Sequence, residues 1–184
     1  MAQPKALYFT DDEQACRLLA QEPFALLVGF ALDQQITVQQ AFLGPLRIKE
    51  RVGTLDPKTL ARTDLEPVFR DKPAVHRFPG TMAKRVQDLA AYVVEEYDGD
   101  AERIWKDAKD GADLKRRLAA LPGFGDMKVR SVTAVLAKRY GLAKAKAVAP
   151  EHPTLGDVDS PQALLDYQAA KRAHKAGLRA KAAR

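Results

Sequence analysis

Apolar residues recur along this chain at spacings of three and four, the periodicity that places them on one side of a helix, and no stretch shows the strict alternation of a half-buried strand. Ala15, Leu18 and Leu19 form the first such stripe. With Thr10 as a cap and Asp11, Asp12 and Glu13 in the first turn, they predict a helix over 10–21. Pro23 then opens the run Phe24 to Leu32, which is apolar on every side. Such a run is a buried helix or a buried strand, and proline in first position together with helical neighbours favours a central buried helix. The polar loop Asp33-Gln34-Gln35-Ile36-Thr37 ends it, before a helical segment over 38–52. A short helix over 57–69 follows, capped by Asp56, and the breaker-rich stretch 72–80 reads as a loop. Met82, Val86, Leu89, Val93, Val94 and Tyr97 mark the clearest amphipathic helix, stopped at Asp98-Gly99-Asp100.

A short helix over 101–107 leads to two further stripes: Leu114, Leu118 and Leu121, then Val129, Val132, Val135, Leu136 and Tyr140. Between them lies Leu121-Pro122-Gly123-Phe124-Gly125-Asp126-Met127-Lys128. Pro122 cannot continue the first helix, and the two glycines admit positive φ and a close-lying partner. Residues 142–154, rich in Ala and Lys and broken by Pro150 and Pro153, read as an irregular connection. Asp159-Ser160-Pro161-Gln162 pairs a cap with an early proline and predicts a last helix with thin apolar content, Leu164, Leu165, Tyr167 and Leu178. The expected fold is all-α, with one domain over 1–160 and a basic C-terminal helix or tail over 161–184.

Charge narrows the partners. The net charge of +6 permits a polyanion, and from Lys171 onward there are six Lys or Arg and no acid, enough for the whole surplus. That tail is either a solvated helix or a salt-sensitive, sequence-blind contact to DNA. The single cysteine, Cys16, excludes an internal disulfide framework and any four-cysteine iron–sulfur site. His152 and His174 stand apart from any second ligand, so no metal site is expected. Trp105 reads as core, and Tyr8 and Phe9 as core or pocket wall. The first ten residues lack the pattern of a signal peptide, and the 24–32 run is too short to span a bilayer. The expectation is a monomeric cytoplasmic protein without a membrane partner, nucleoid-associated if bacterial.

The turn at 121–128 has a chemical use beyond joining helices. It aims backbone N–H groups and the positive end of the following helix outward, which favours a phosphate oxygen, with Lys128, Arg130, Lys138 and Arg139 adding cations. An ordinary αα-hairpin is the plain alternative.

Three stretches in order resemble the helix-hairpin-helix superfamily of base-excision DNA glycosylases, the endonuclease III type. They are Pro23-Phe24-Ala25-Leu26-Leu27-Val28 with Asp33-Gln34-Gln35, then Met82-Ala83-Lys84-Arg85-Val86 through Glu95-Glu96-Tyr97-Asp98-Gly99-Asp100, then Leu118-Ala119-Ala120-Leu121-Pro122-Gly123-Phe124-Gly125. The resemblance covers roughly residues 10 to 142 and implies a compact two-lobed helical fold. It also implies duplex DNA with a damaged or mismatched base as partner, and no cofactor, since the family's later cysteine cluster is missing. Gln35 matches the wedge that fills the gap left by a flipped base, with Gln34 a second candidate. Leu121, Pro122, Gly123, Phe124 and Gly125 match the phosphate-holding turn, with Lys128 and Arg130 beside it.

Bifunctional members carry a lysine two residues past the second glycine, whose amine attacks the sugar C1′. Met127 occupies that position here, and Lys128, rotated by about 100° on a helix, is expected to face phosphate or solvent instead. The resemblance therefore implies a monofunctional enzyme that uses activated water, with Lys128 as nucleophile the lesser alternative. The family's aspartate follows the hairpin's second helix, and the acids available there are Asp157 and Asp159. Met127 is a pocket candidate, and His76, in the proline-rich loop, is a pocket candidate or a surface histidine. A DNA-binding module without chemistry, and a helical interaction protein without a nucleic acid, are the remaining alternatives.

Overall fold

The computed structural model describes residues 3–182, with the side chains of 175 and 178–182 excepted. Among the described residues the structure is all-α, without a strand. Helices α1 (Glu13–Gln21), α2 (Pro23–Leu32) and α3 (Val38–Val52) open the chain, followed by the short α4 (Pro57–Leu60) and α5 (Glu66–Arg70) and the long α6 (Pro79–Tyr97). Then come α7 (Arg103–Lys106), α8 (Gly111–Ala119), α9 (Asp126–Lys138), α10 (Ala143–Lys146), a 3-10 turn at Leu155–Asp157, and α11 (Pro161–Ala182).

The all-round apolar run is the central helix α2, begun by Pro23, with every residue from Phe24 to Leu32 buried. α3 packs along it. Phe42 of α3 sits edge-on to Phe30 and to Phe9, with ring centroids 5.0 Å apart in both pairs, a favoured aromatic geometry. The approach is close because residue 29 has no side chain: a Cβ there would lie 2.4 Å from Phe42 Cδ1. Trp105 and Phe9 are both core.

Helix packing falls into two sets. α1 to α6 pack on one another, and α7 to α10 with the 3-10 turn form the second group around α9. Polar contacts bridge the seam between them. Tyr140 Oη donates to the Ala20 carbonyl at 3.1 Å, and Lys128 Nζ donates to the Ala31 carbonyl at 3.0 Å.

Several boundaries differ from the sequence reading for local reasons. Asp12, whose carboxylate accepts from the Ala15 amide at 2.8 Å, caps α1 in place of Thr10. The segment 57–69 divides in two, the second part beginning where Pro67 favours a fresh helical start. Pro79 likewise starts α6 inside the expected loop, and a single helical turn, α10, interrupts the irregular connection after Gly141. The last helix is capped by Ser160, whose Oγ accepts from the Ala163 amide at 3.2 Å, and not by Asp159.

Candidate nucleic-acid interface

Between α8 and α9 the chain reverses through residues 120–125. Leu121 and Phe124 are buried and pin this turn to the core, so they shape it and leave external contact to the backbone. Only one of the two glycines needs its conformational freedom. Gly123 is left-handed at φ 79, whereas Gly125 is extended at φ −82 and ψ 176. A Cβ at Gly123 would come within 3.0 Å of Arg85 Cδ, while one at Gly125 would meet nothing within 4 Å. Gly125 therefore leaves an open approach to the end of α9. That end has no side-chain cap, so its first amides lack an intrahelical acceptor. Asp126 places one carboxylate in this first turn, with Arg130 3.9 Å away.

The next two residues exchange their expected roles. Met127 is 70% exposed, and Lys128 is the one turned into the seam. The helical phase explains this: Lys128 shares a face with Val132 and Leu136, both fully buried, so the side chain four residues earlier is drawn to the same side. Its ammonium lies 5.8 Å from the centroid of the Phe124 ring and meets the free carbonyl end of α2. Burial, and then the positive charge of Arg85, push the Lys128 ammonium down to about 8, while Asp33 acts in the other direction.

Asp33 ends α2. Its carboxyl is raised by burial, against the opposing charges of Lys171 and Lys128, and among the described residues it has no ion-pair partner within 4.0 Å. Gln34 is firmly held: its Oε1 accepts from Arg85 Nη1, and its carbonyl contacts His76 Nε2 at 3.0 Å. Arg85, to which the sequence reading assigned no role, thus touches both the turn and the glutamine loop. His76 is 2% exposed, which corrects its reading as a surface histidine. The Phe78 amide donates to its Nδ1 at 3.0 Å, leaving Nε2–H to donate to Gln34. Burial lowers its pKa and keeps the ring neutral.

Gln35 follows in the left-handed region at φ 58, with its side chain exposed. A non-glycine residue held there stores about 1 kcal/mol or more of backbone strain. Gln35→Gly is expected to leave the fold as stable or stabilise it by up to about 1 kcal/mol, because glycine accepts this conformation. If Gln35 is a wedge, the same variant loses base extrusion, read as the fluorescence of 2-aminopurine in a bound duplex. Lower stability with unchanged fluorescence would assign Gln35 a purely local role.

The two aspartates after α9 do not join this group. Asp157 accepts from Lys138 Nζ at 2.7 and 2.9 Å and from the Thr154 amide at 2.8 Å, closing a reciprocal cap on the 3-10 turn. Burial works to raise its pKa, and Lys138 and Thr154 outweigh that, holding it below the usual carboxylate range. Asp159 is exposed. α11 instead brings in residues the sequence reading left as thin apolar content. Gln168 and Gln39 exchange side-chain hydrogen bonds at 2.9 and 2.5 Å, and Tyr167 packs partly buried against the core. Lys171 lies 5.8 Å from the Tyr167 ring. The last helix therefore lies beside Asp33. One surface depression is lined by His76 with Ile36 and Gln40, and another runs along Lys115, Arg130 and His152.

Among the described residues no cluster of three or more His, Cys, Asp or Glu is arranged to hold a metal ion, and no single helix is long and apolar enough to cross a membrane. Compared with known protein families, with curated proteins and with solved structures, the chain finds no match.

Proposed function

We propose that this chain is a DNA glycosylase-like enzyme of the helix-hairpin-helix kind. It grips duplex DNA by the 120–125 turn, extrudes a damaged or mismatched nucleotide past Gln35, and attacks the sugar C1′ with the Lys128 amine. The single observation that carries this reading is the Lys128 ammonium turned into the seam beside the turn, 3.0 Å from the Ala31 carbonyl, where burial pushes it down to about 8. An amine near that value is free in a useful fraction at neutral pH, unlike an ordinary lysine. The open end of α9 beside Gly125 supports the grip, and the strained, exposed Gln35 supports extrusion. For the hydrolytic route Asp159 is exposed, while Asp157 is held by Lys138 and Thr154.

A second reading, a DNA-binding module without chemistry, is favoured by one observation. The Lys128 bond to Ala31 satisfies the carbonyl end of α2, a structural task suited to a cation. Duplexes carrying uracil, alkylated, oxidised, mismatched or abasic sites, treated with borohydride and assayed for base release, separate the two. Covalent adduct supports the enzyme. Binding without adduct or base release supports the module, and no binding leaves a helical interaction protein.

A further inference from the structure

A cavity of about 230 Å³ opens between α3 and the loop over 72–77, lined by Ile36, Gln40, Arg47, Val75, His76 and Arg77. We propose that it holds a second phosphate of the DNA backbone, gripped by Arg47 and Arg77, with the Gln34–Gln35 loop between it and the Gly125 turn. The inference rests on the chain binding duplex DNA and needs no chemistry at Lys128.

The lining selects an anion. Its charged groups are two guanidiniums, no acid is among its residues, and Ile36, Val75 and the His76 ring form the walls. Both nitrogens of His76 are engaged, by the Phe78 amide and the Gln34 carbonyl, so it closes a wall without offering a donor. Other cations of this region are already paired: Lys49 with Glu22, Arg51 with Asp71, and Arg70 with Glu66. Arg47 and Arg77 have no ion pair among the described residues. Arg47 is half-buried and oriented by one bond, from Nη1 to the Ala74 carbonyl at 3.2 Å, which leaves the rest of its fork for a ligand. Arg77 is held by the Phe78 ring, its guanidinium 4.8 Å from the centroid. The loop carrying Arg77 is fixed by Arg51, which donates to the Val68 and Pro73 carbonyls at 2.7 and 2.8 Å.

Size and place narrow the anion further. The volume lies below the roughly 300–1,000 Å³ of pockets that enclose whole small molecules, and two planar forks match the oxygens of a single phosphate. Asp11 and Asp12 line an adjoining depression that shares Gln40, which bounds the basic ground. Gln34 links the cavity to the turn. Its carbonyl meets His76 Nε2 at 3.0 Å, and its Oε1 accepts from Arg85, whose Cδ would lie 3.0 Å from a Cβ at Gly123. Phosphates repeat along both strands of a duplex, and contacts at two of them fix the register that one leaves open. A duplex held at both places lies across the exposed Gln35.

The test is a scan of neutral methylphosphonate substitutions along an abasic duplex, read at low salt as binding by the parent, by the Arg47→Gln, Arg77→Gln double variant and by Gly125→Asp. The parent should lose affinity at two separate positions or more. The double variant should be indifferent at one of them and keep its sensitivity at the position that Gly125→Asp erases. Its log–log salt slope should be shallower by about 1, so the affinity it loses shrinks by about 3.5-fold between 50 and 200 mM salt. Lysine at both positions keeps the charge and should restore the slope. Should Arg47→Gln loosen the loop, Arg77→Gln alone gives the same comparison with Arg77→Lys. A double variant with the slope and the scan of the parent overturns the cavity as a phosphate site while duplex binding stands. A melt raised by inorganic phosphate in the parent and not in the double variant, with equal duplex binding, assigns the cavity to free phosphate and overturns the DNA contact. No duplex binding by the parent overturns the proposed function, and the role of the cavity falls with it.

Discussion

Lys128→Met is expected to abolish the borohydride-trapped adduct on abasic duplexes while leaving duplex binding within a few-fold of the parent. The amine is the reacting group, and methionine fills a similar volume without one. At the turn it is the Lys128 ammonium that points into the seam. A signature in stability accompanies the loss. The folded-state value of about 8 lies below the ordinary 10.5, so between these values the unfolded chain binds more protons than the folded one. Parent stability should therefore rise with pH across that window and level off above it. Thermal melts from pH 7 to 10.5 should show this rise in the parent and lack it in the methionine variant. An adduct that survives the substitution would remove Lys128 from the chemistry.

Gly125→Asp is expected to move stability and binding in opposite directions. Residue 125 is the N-cap of α9 and has no side chain to cap with, while its extended backbone and open surroundings accept an aspartate. The new carboxylate caps α9 and stabilises the fold by about 0.3 kcal/mol, since glycine is itself a tolerated cap. It also stands where a phosphate would dock. Between unit charges about 4 Å apart the repulsion runs from about 1 kcal/mol in water to about 4 kcal/mol near a protein surface, so affinity should fall by roughly fivefold to a thousandfold. A melt and a duplex titration on the same preparation check both signs. Raised stability with unchanged affinity would mean that DNA does not meet this corner.

The helices were legible because their causes are local. Pro23 before an all-apolar run, Asp56 as a cap, and Asp98-Gly99 as a stop each act within a turn of the residues they govern. The turn at 121–125 was legible for the same reason, although Gly125 proved to be open space rather than left-handed backbone. The seam was not legible, because it forms between segments far apart in sequence. Nothing local says that Asp33 lies beside α9 and α11, or that Arg85 reaches both Gln34 and Gly123.

One error was avoidable. Counting forward from the glycines put Met127 in the pocket, whereas Lys128, Val132 and Leu136 at intervals of four already marked the buried face of the helix. Periodicity within the helix decides which side chain turns inward. The engagement of Asp157 was not legible either, because Lys138, nineteen residues away, holds its carboxylate.

The salt dependence of parent-protein binding to an abasic duplex tests the central claim most directly, that the open corner at Gly125, with Arg130 beside it, holds the DNA backbone. With about four phosphates neutralised, the log–log slope should be about −4, and affinity should fall by roughly 10²-fold between 50 and 200 mM salt. Affinity that stays flat across that range, or no binding even at the lowest salt, would contradict it.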